Sequence, residues 1–296
     1  MDFLDSNEWS TLLQDSFRGY SLRSAGNAND SPGLSWFVFR LGPLKVAYPR
    51  FPVGLDDDDL AAGEGLGAHL EQLRAAGVDV VQISVVEAPK VQALHGYHSV
   101  DLPDTTIHDL QDWSEAALSQ SCRAKVRRAT REGLRVEDAS KADGPVISNL
   151  CRNSIERHGG SVRYPQRYFE HLARAAARSP AVRIGIARTE AGDAVGFIAT
   201  VSHGHRTSYL HGGFAESASR LRPGYVCMHW AIQEAKKAGS TQFRMLTSPA
   251  KQPALVGYKE SFGGKTLMRR HFSIPTSFLG YPAAIALAWN ARRRQR

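Results

Sequence analysis

The chain has 296 residues, 42% of them apolar, enough to bury a real core and to exclude a disordered polymer. Its formal net charge of +8 favours anionic partners (nucleotides, RNA, a phospholipid surface, a phosphorylated substrate) without choosing among them. The three cysteines, Cys122, Cys151 and Cys227, are widely spaced and form no CxxC pair, which excludes a disulfide framework and points to a reducing compartment. Each reads better as a small buried hydrophobe than as a nucleophile.

The opening MDFLDSNEWS is acidic and lacks the basic and apolar regions of a signal peptide, and no apolar run reaches the length of a membrane span. A cytoplasmic protein is expected. A helix is expected over residues 8–18, a polar loop over 24–33, and a hairpin of 36–40 with 45–48 turning at Gly42-Pro43. The aspartate run 56–59 reads as a solvated helix N-terminus, since a metal there would need ligands from elsewhere. A helix over 60–76 ends at Gly77, an apolar strand over 78–86 follows, and 99–102 is a short strand. This α/β order suits a small sheet domain over residues 1–117.

The second half opens on a basic helix ended by Gly133, carrying Arg123, Lys125, Arg127, Arg128 and Arg131. A strand at 134–137, helices at 145–157 and 166–177, and three antiparallel strands at 182–188, 194–203 and 207–211 come next. Arg220-Leu-Arg-Pro-Gly-Tyr then opens directly onto a helix whose Val226, Trp230, Ile232, Ala235 and Ala238 recur near helical spacing. Gly239 ends that helix, a strand covers 242–246, and a Lys-bearing turn, Tyr258-Lys-Glu-Ser-Phe-Gly-Gly, closes the series. An Arg/Pro/Gly loop at a helix start can hold a phosphate, because backbone N–H groups and the positive end of the helix dipole converge there. The plainer reading is an ordinary βαβ unit with a solvated basic loop.

Four stretches together carry a family resemblance. They are Ser119 through Leu134 of the basic helix; Ile155-Glu-Arg-His-Gly with Tyr168-Phe169; Leu210-His-Gly-Gly through Arg222-Pro-Gly into Trp230-Ala-Ile; and Tyr258-Lys-Glu-Ser-Phe-Gly-Gly. In order and spacing, residues 119–266 resemble the FemAB-like branch of the GNAT superfamily, which includes Fem-type peptidoglycan aminoacyltransferases. The resemblance implies an α/β (α+β) chain of two tandem GNAT-like units, each a mixed central sheet flanked by helices, the first degenerate. The units expected are 1–117 and 118–277, with a short apolar and basic helix or tail over 278–296. The resemblance also implies acyl or aminoacyl transfer to an amine, with no tightly bound cofactor. Acyl-CoA or aminoacyl-tRNA would be the co-substrate, and the acceptor a cell-envelope, peptidoglycan or exopolysaccharide precursor, small or lipid-linked. In the superfamily the loop before the main helix, usually Arg/Gln-x-x-Gly-x-Gly/Ala, holds the donor pyrophosphate. Arg220, Arg222, Gly224 and Tyr225 fall in that loop here, with Pro223 and Tyr225 where the pattern has small residues.

Amide formation needs a neutral amine, a stabilised carbonyl oxygen and a protonated leaving group. Lys259 is the candidate cation at the reacting carbonyl or a neighbouring phosphate, and its replacement by Ala is expected to remove activity with folding intact. Arg220 and Arg222 suit bidentate phosphate contacts. Arg123, Arg127 and Arg128 are candidate contacts to substrate or to RNA, against the plainer reading of a solvated face. Glu156, His158 and His211 are the choices for a general base, Glu156 and His158 also standing where an acceptor could be held. Tyr258, and with it Tyr209, could protonate a leaving group. No metal site, Ser-His-Asp triad or dinucleotide fingerprint is found. Residues 278–296 could lie at an anionic membrane surface, giving a peripheral position at the inner face, or simply pack on the fold. The alternative to an enzyme is a catalytically inactive GNAT-like module that binds RNA or a phosphorylated glycan.

Overall fold

A computed structural model describes residues 2–24, 33–55, 65–86, 96–157, 159, 160 and 162–295. In chain order the helices and strands are α1 (Asn7–Ser16), β1 (Gly19–Ser24), β2 (Leu34–Leu41), β3 (Leu44–Pro49), α2 (Gly65–Ala75), β4 (Val80–Val85) and β5 (Tyr97–Ile107). Then come α3 (Gln120–Arg131), β6 (Arg135–Asp138), α4 (Gly144–Arg157), α5 (Gln166–Ala176), β7 (Val182–Arg188), β8 (Ala194–His203) and β9 (Arg206–Phe214). The chain continues with α6 (Pro223–Lys237), β10 (Gln242–Thr247), α7 (Pro253–Glu260), β11 (Lys265–Pro275) and α8 (Gly280–Gln295).

Two compact units form: Met1–Asp104 with Thr247–Val256 and Thr266–Arg296, and Thr105–Leu246 with Gly257–Lys265. The division therefore falls upstream of the expected 117/118 boundary, and residues 266–296 belong to the first unit. The reason is a pairing between strands far apart in sequence: β11 lies antiparallel to β4 from Arg270–Val85 to Pro275–Val80. Neither β11, nor β1, nor α7 is among the elements expected from the sequence. The aspartate run 56–59 lies outside the described residues.

The first unit orders its strands β1-β2-β3-β4-β11, mixed because β3 and β4 are parallel while the other pairs are antiparallel. Alternating side chains face opposite ways along a strand. Val81 and Ile83 pack with Leu66, Leu70 and Leu73 of α2, whereas Val80 packs with Val46 and with Ala284 of α8. Two helices thus cover the two faces. A buried Asp5–Arg50 ion pair, 2.9 Å apart, also accepts the Ser35 N–H and ties the start of the chain to this sheet.

The second unit orders its strands β10-β9-β8-β7-β6. β9 and β10 are parallel and the others antiparallel. β7 and β8 are buried almost throughout, as strands covered on both faces must be. A Cβ on Gly196 would press on Pro223 of α6, whereas its neighbour Phe197 meets Phe169 of α5 edge-on. Helices α4 and α5 therefore line one face and α6 the other, with α3 packed on α6. Gly213 is required by close approach: a Cβ there would lie 2.6 Å from the Leu150 carbonyl oxygen of α4. The strand order and helix placement are those of a GNAT fold, and the buried thiols Cys122, Cys151 and Cys227 are core residues, as expected of small hydrophobes.

Candidate functional site

β9 and β10 share register only from Arg206–Gln242 to Ser208–Arg244, and then run on separately to Phe214 and Thr247. β9 also slips by one residue against β8: Tyr209 faces Thr200 and His211 faces Ala199, leaving Leu210 as a bulge. A bulge bends its strand and releases backbone groups from the ladder. The second unit thus contains two parallel strands that part company beyond Ser208 and Arg244.

The first turn of α6 is carried onto this end of β9 by a 3-10 segment, Glu216–Leu221. Arg222 is the N-cap in the left-handed region at φ 63°, with no side-chain cap, and Pro223 follows at the first helical position. Proline suits that position because its N–H would be unpaired anyway, and its ring is buried against Gly196. What the departure from the usual glycine costs is therefore one N–H; that of Gly224 still lacks an intrahelical partner. Arg220 and Arg222 are both exposed beside this turn.

Helix α7 closes the site from a second direction. Tyr258 donates its hydroxyl to the Gly224 carbonyl at 2.7 Å. Its ring meets Tyr225 at 5.0 Å and Phe262 at 5.2 Å, both edge-on, while Tyr225 stacks on Phe262 at 5.9 Å. Lys125 of α3 donates to the Tyr225 hydroxyl at 2.9 Å and stands 4.6 Å above its ring. Burial, reinforced by neighbouring phenols and thiols, holds the Tyr258 phenol well above its usual range, and Tyr209 is raised by burial in the same way. Both phenols are therefore neutral.

Lys259 does not stand in a turn. It is buried in the last turn of α7 and donates to the Leu246 carbonyl at 2.6 Å. Leu246 is itself in the left-handed region, at φ 56°. Its ammonium grips the diverging end of β10, which makes Lys259 a positioning residue for that strand.

The other candidates separate. His211 lies within β9, which runs three residues further than expected, and its ring is enclosed by Tyr164, Tyr168 and Phe169. Its Nε2 shares a 3.0 Å hydrogen bond with the Tyr168 hydroxyl. Burial drives its pKa down to about 3, so the ring is neutral and ties α5 to β9. Arg123 caps the short 3-10 turn before α3, donating to the carbonyls of Glu115, Ala116 and Leu118. Arg128 pairs with Glu132 one turn on, at 2.7 Å. Arg127 faces Glu115 at 4.0 Å, a solvent-screened pair. It also borders a groove of about 1000 Å³ between α3, β6 and α6, shared with Arg131, Arg135, His229 and Trp230. Glu156 is exposed on the last turn of α4, and His158 lies outside the described residues. The adjacent Arg157, not anticipated from the sequence, stands 4.2 Å over the Phe214 ring and brings the end of α4 to the end of β9. No group of metal-ligating side chains occurs among the described residues.

Residues 117–260 match the profile of the acetyltransferase (GNAT) domain. Among curated proteins none matches the chain by sequence. Among solved structures, the chain is similar to FemX, with 14% identity, 97% of this chain and 94% of that one covered, and a TM-score of 0.71. It is similar to the C-terminal domain of a putative lysylphosphatidylglycerol synthetase from Agrobacterium fabrum, with 15% identity, 97% and 91% covered, and a TM-score of 0.62. It is also similar to L-PGS from Bacillus licheniformis, with 14% identity, 99% and 98% covered, and a TM-score of 0.58. At such identities it is the fold that is shared. Residues 117–260 thus match the acetyltransferase (GNAT) domain model, in a chain that shares its fold with FemX along nearly its whole length.

Proposed function

We propose that the chain transfers an acyl or aminoacyl group from acyl-CoA or aminoacyl-tRNA to an amine of a cell-envelope, peptidoglycan or exopolysaccharide precursor. The observation that carries this reading is the juxtaposition of the α6 first turn, the Tyr258 hydroxyl and the separated end of β9. The donor phosphates would lie at Arg220, Arg222 and the Gly224 N–H, in the field of the helix dipole. The donor carbonyl would pair with backbone released by the Leu210 bulge.

In the reaction the amine nitrogen attacks the carbonyl carbon and a C–N bond forms. The C–S bond of a thioester, or the C–O bond of an aminoacyl ester, then breaks. Tyr258 gives its proton to the leaving sulfur or oxygen, and the phenolate regains one from the amine nitrogen, which must shed it. A neutral phenol held at 2.7 Å from the Gly224 carbonyl is suited to that exchange. The likeness in fold to a domain of a putative lysylphosphatidylglycerol synthetase supports the aminoacyl form of this reading. The arginine-bordered groove beside α3 is a surface on which a tRNA donor could be held.

The test is release of free thiol, or deacylation of tRNA, over a panel of acyl-CoAs and aminoacyl-tRNAs with amino sugar and peptide acceptors. Turnover with one donor class, lost in Tyr258→Phe, is expected. Absence of turnover with every donor, together with salt-sensitive RNA binding, would instead establish an inactive RNA-binding module.

A further inference from the structure

Helix α8 has two unlike faces. Ala284 and Ala288 are buried and Ala283 and Leu287 half-buried, where the helix lies on Val46, Val80, Tyr48 and Tyr97 of the first unit. The helix is pinned at both ends. Thr276 donates to the Val78 carbonyl at 2.7 Å, Ser277 to the Asp79 carboxylate at 2.6 Å, and Arg292 to the Ser99 carbonyl at 3.2 Å. Gly280 lets the first turn come so close that any side chain there would collide with the Asp79 carbonyl.

Apolar side chains also stand in the open, on the helix and on the two residues just before it. Phe278 is 91% exposed, Leu279 59%, Tyr281 47%, Ile285 51% and Trp289 58%. Tyr281, Ile285 and Trp289 follow at i, i+4 and i+8, one row along the helix. Apolar side chains gathered in this way, held outward by a helix that cannot roll over, mark an interaction surface. The row ends on positive charge: Arg292 and Arg293 are exposed, Arg293 stands 5.1 Å over the Trp289 ring, and the sequence continues Arg294-Gln295-Arg296. No acidic residue occurs between Ser277 and Arg296. No described helix is long and apolar enough to cross a membrane. Aromatic rings with polar edges beside arginines suit the boundary between lipid headgroups and acyl chains, where the rings sink in and the guanidinium groups meet phosphates.

We propose that α8 is an interfacial helix that seats the chain on an anionic phospholipid bilayer, with Phe278, Leu279, Tyr281, Ile285 and Trp289 inserted and Arg293 on the headgroup phosphates. This surface is independent of the transfer reading, since a protein inactive in transfer would bind lipid equally well.

The experiment is flotation of the full chain with vesicles of phosphatidylcholine alone and of phosphatidylcholine mixed with phosphatidylglycerol. Wild type is expected to float with the anionic vesicles and to fall by ~10-fold or more with neutral ones. Ile285→Glu/Trp289→Glu should lose flotation while keeping its circular dichroism and melting temperature, because both positions are exposed. A blue shift of tryptophan emission on adding anionic vesicles should disappear in Trp289→Phe, with flotation retained. Equal flotation of the double variant, equal binding to neutral vesicles, or an absence of flotation would overturn the proposal. So would sedimentation showing a wild-type dimer that the double variant dissolves, because a second copy would then be what covers this face.

Discussion

The Lys259 ammonium lies 2.6 Å from the carbonyl oxygen of Leu246, a residue held at φ 56° where β10 leaves its partner strand. A leucine in the left-handed region is strained by about 1–3 kcal/mol, and a buried charged hydrogen bond is of the size that can hold it there. Lys259→Met should therefore lower stability by about 2 kcal/mol in urea unfolding and reduce kcat/KM through displacement of the β10 end. Its burial adds a cost in stability to the loss of activity expected on replacing Lys259. An unchanged unfolding midpoint would refute the positioning role.

Tyr258→Phe keeps the ring between Tyr225 and Phe262 and removes only the hydroxyl on the Gly224 carbonyl. Stability should fall by about 1 kcal/mol, while kcat should fall by about 10²–10⁴ with donor KM nearly unchanged. Steady-state kinetics separates these: a rise in KM alone would assign Tyr258 to donor binding.

Arg222→Gly removes the cation at the α6 N-terminus and leaves a residue that accepts the left-handed conformation at no steric cost. The fold should survive, and donor KM should rise by about tenfold, the loss of one charged phosphate contact. Added salt should weaken donor binding in wild type more than in the variant. Identical KM values would remove Arg222 from the site.

His211 is neutral in the folded protein, with its pKa held down near 3 by burial, against 6.5 when unfolded. Between those values the unfolded chain carries the extra proton, so this contribution is complete above pH 6.5 and is lost as pH falls towards 3. His69 and His229 are also lowered by burial and add in the same direction. The melting temperature should drop from pH 7 to pH 5, with a slope reaching about 1.4 kcal/mol per pH unit for one such histidine. His211→Phe should flatten the profile; an equally steep profile in that variant would rule His211 out as its source.

Gly213→Ala places a methyl group 2.6 Å from the Leu150 carbonyl oxygen, which belongs to backbone and cannot swing away. A loss of about 1–3 kcal/mol is expected by thermal melting, with Gly192→Ala, in an open turn, as a contrast governed by its φ of 88° alone.

Much of the second unit was legible because its signals are local. Apolar runs gave β7 and β8, Gly133 and Gly239 marked helix ends, and the Arg220–Tyr225 stretch announced a helix start that the structure places at Pro223. The site was harder to read. Lys259 looked like part of a turn because Gly263-Gly264 lies just beyond it, whereas Pro253 starts a short helix that buries it. His211 looked like a strand-end base because Gly212-Gly213 follows; those glycines in fact continue β9 beneath α4. Lys125 was one cation among five on α3, and only packing sets it over Tyr225.

The sequence by itself determined the types of most elements, the GNAT order of the second unit and the basic, apolar character of the chain's last helix, because periodicity, caps and charge are written in neighbouring residues. Only the tertiary structure decided that β11 and α8 belong to the first unit, and that Tyr258 reaches Gly224 while Lys259 reaches Leu246. It also decided which face of α8 is exposed. Each of these depends on long-range contacts between segments whose own composition is compatible with several partners, and the partner is selected by which core each segment can help to close.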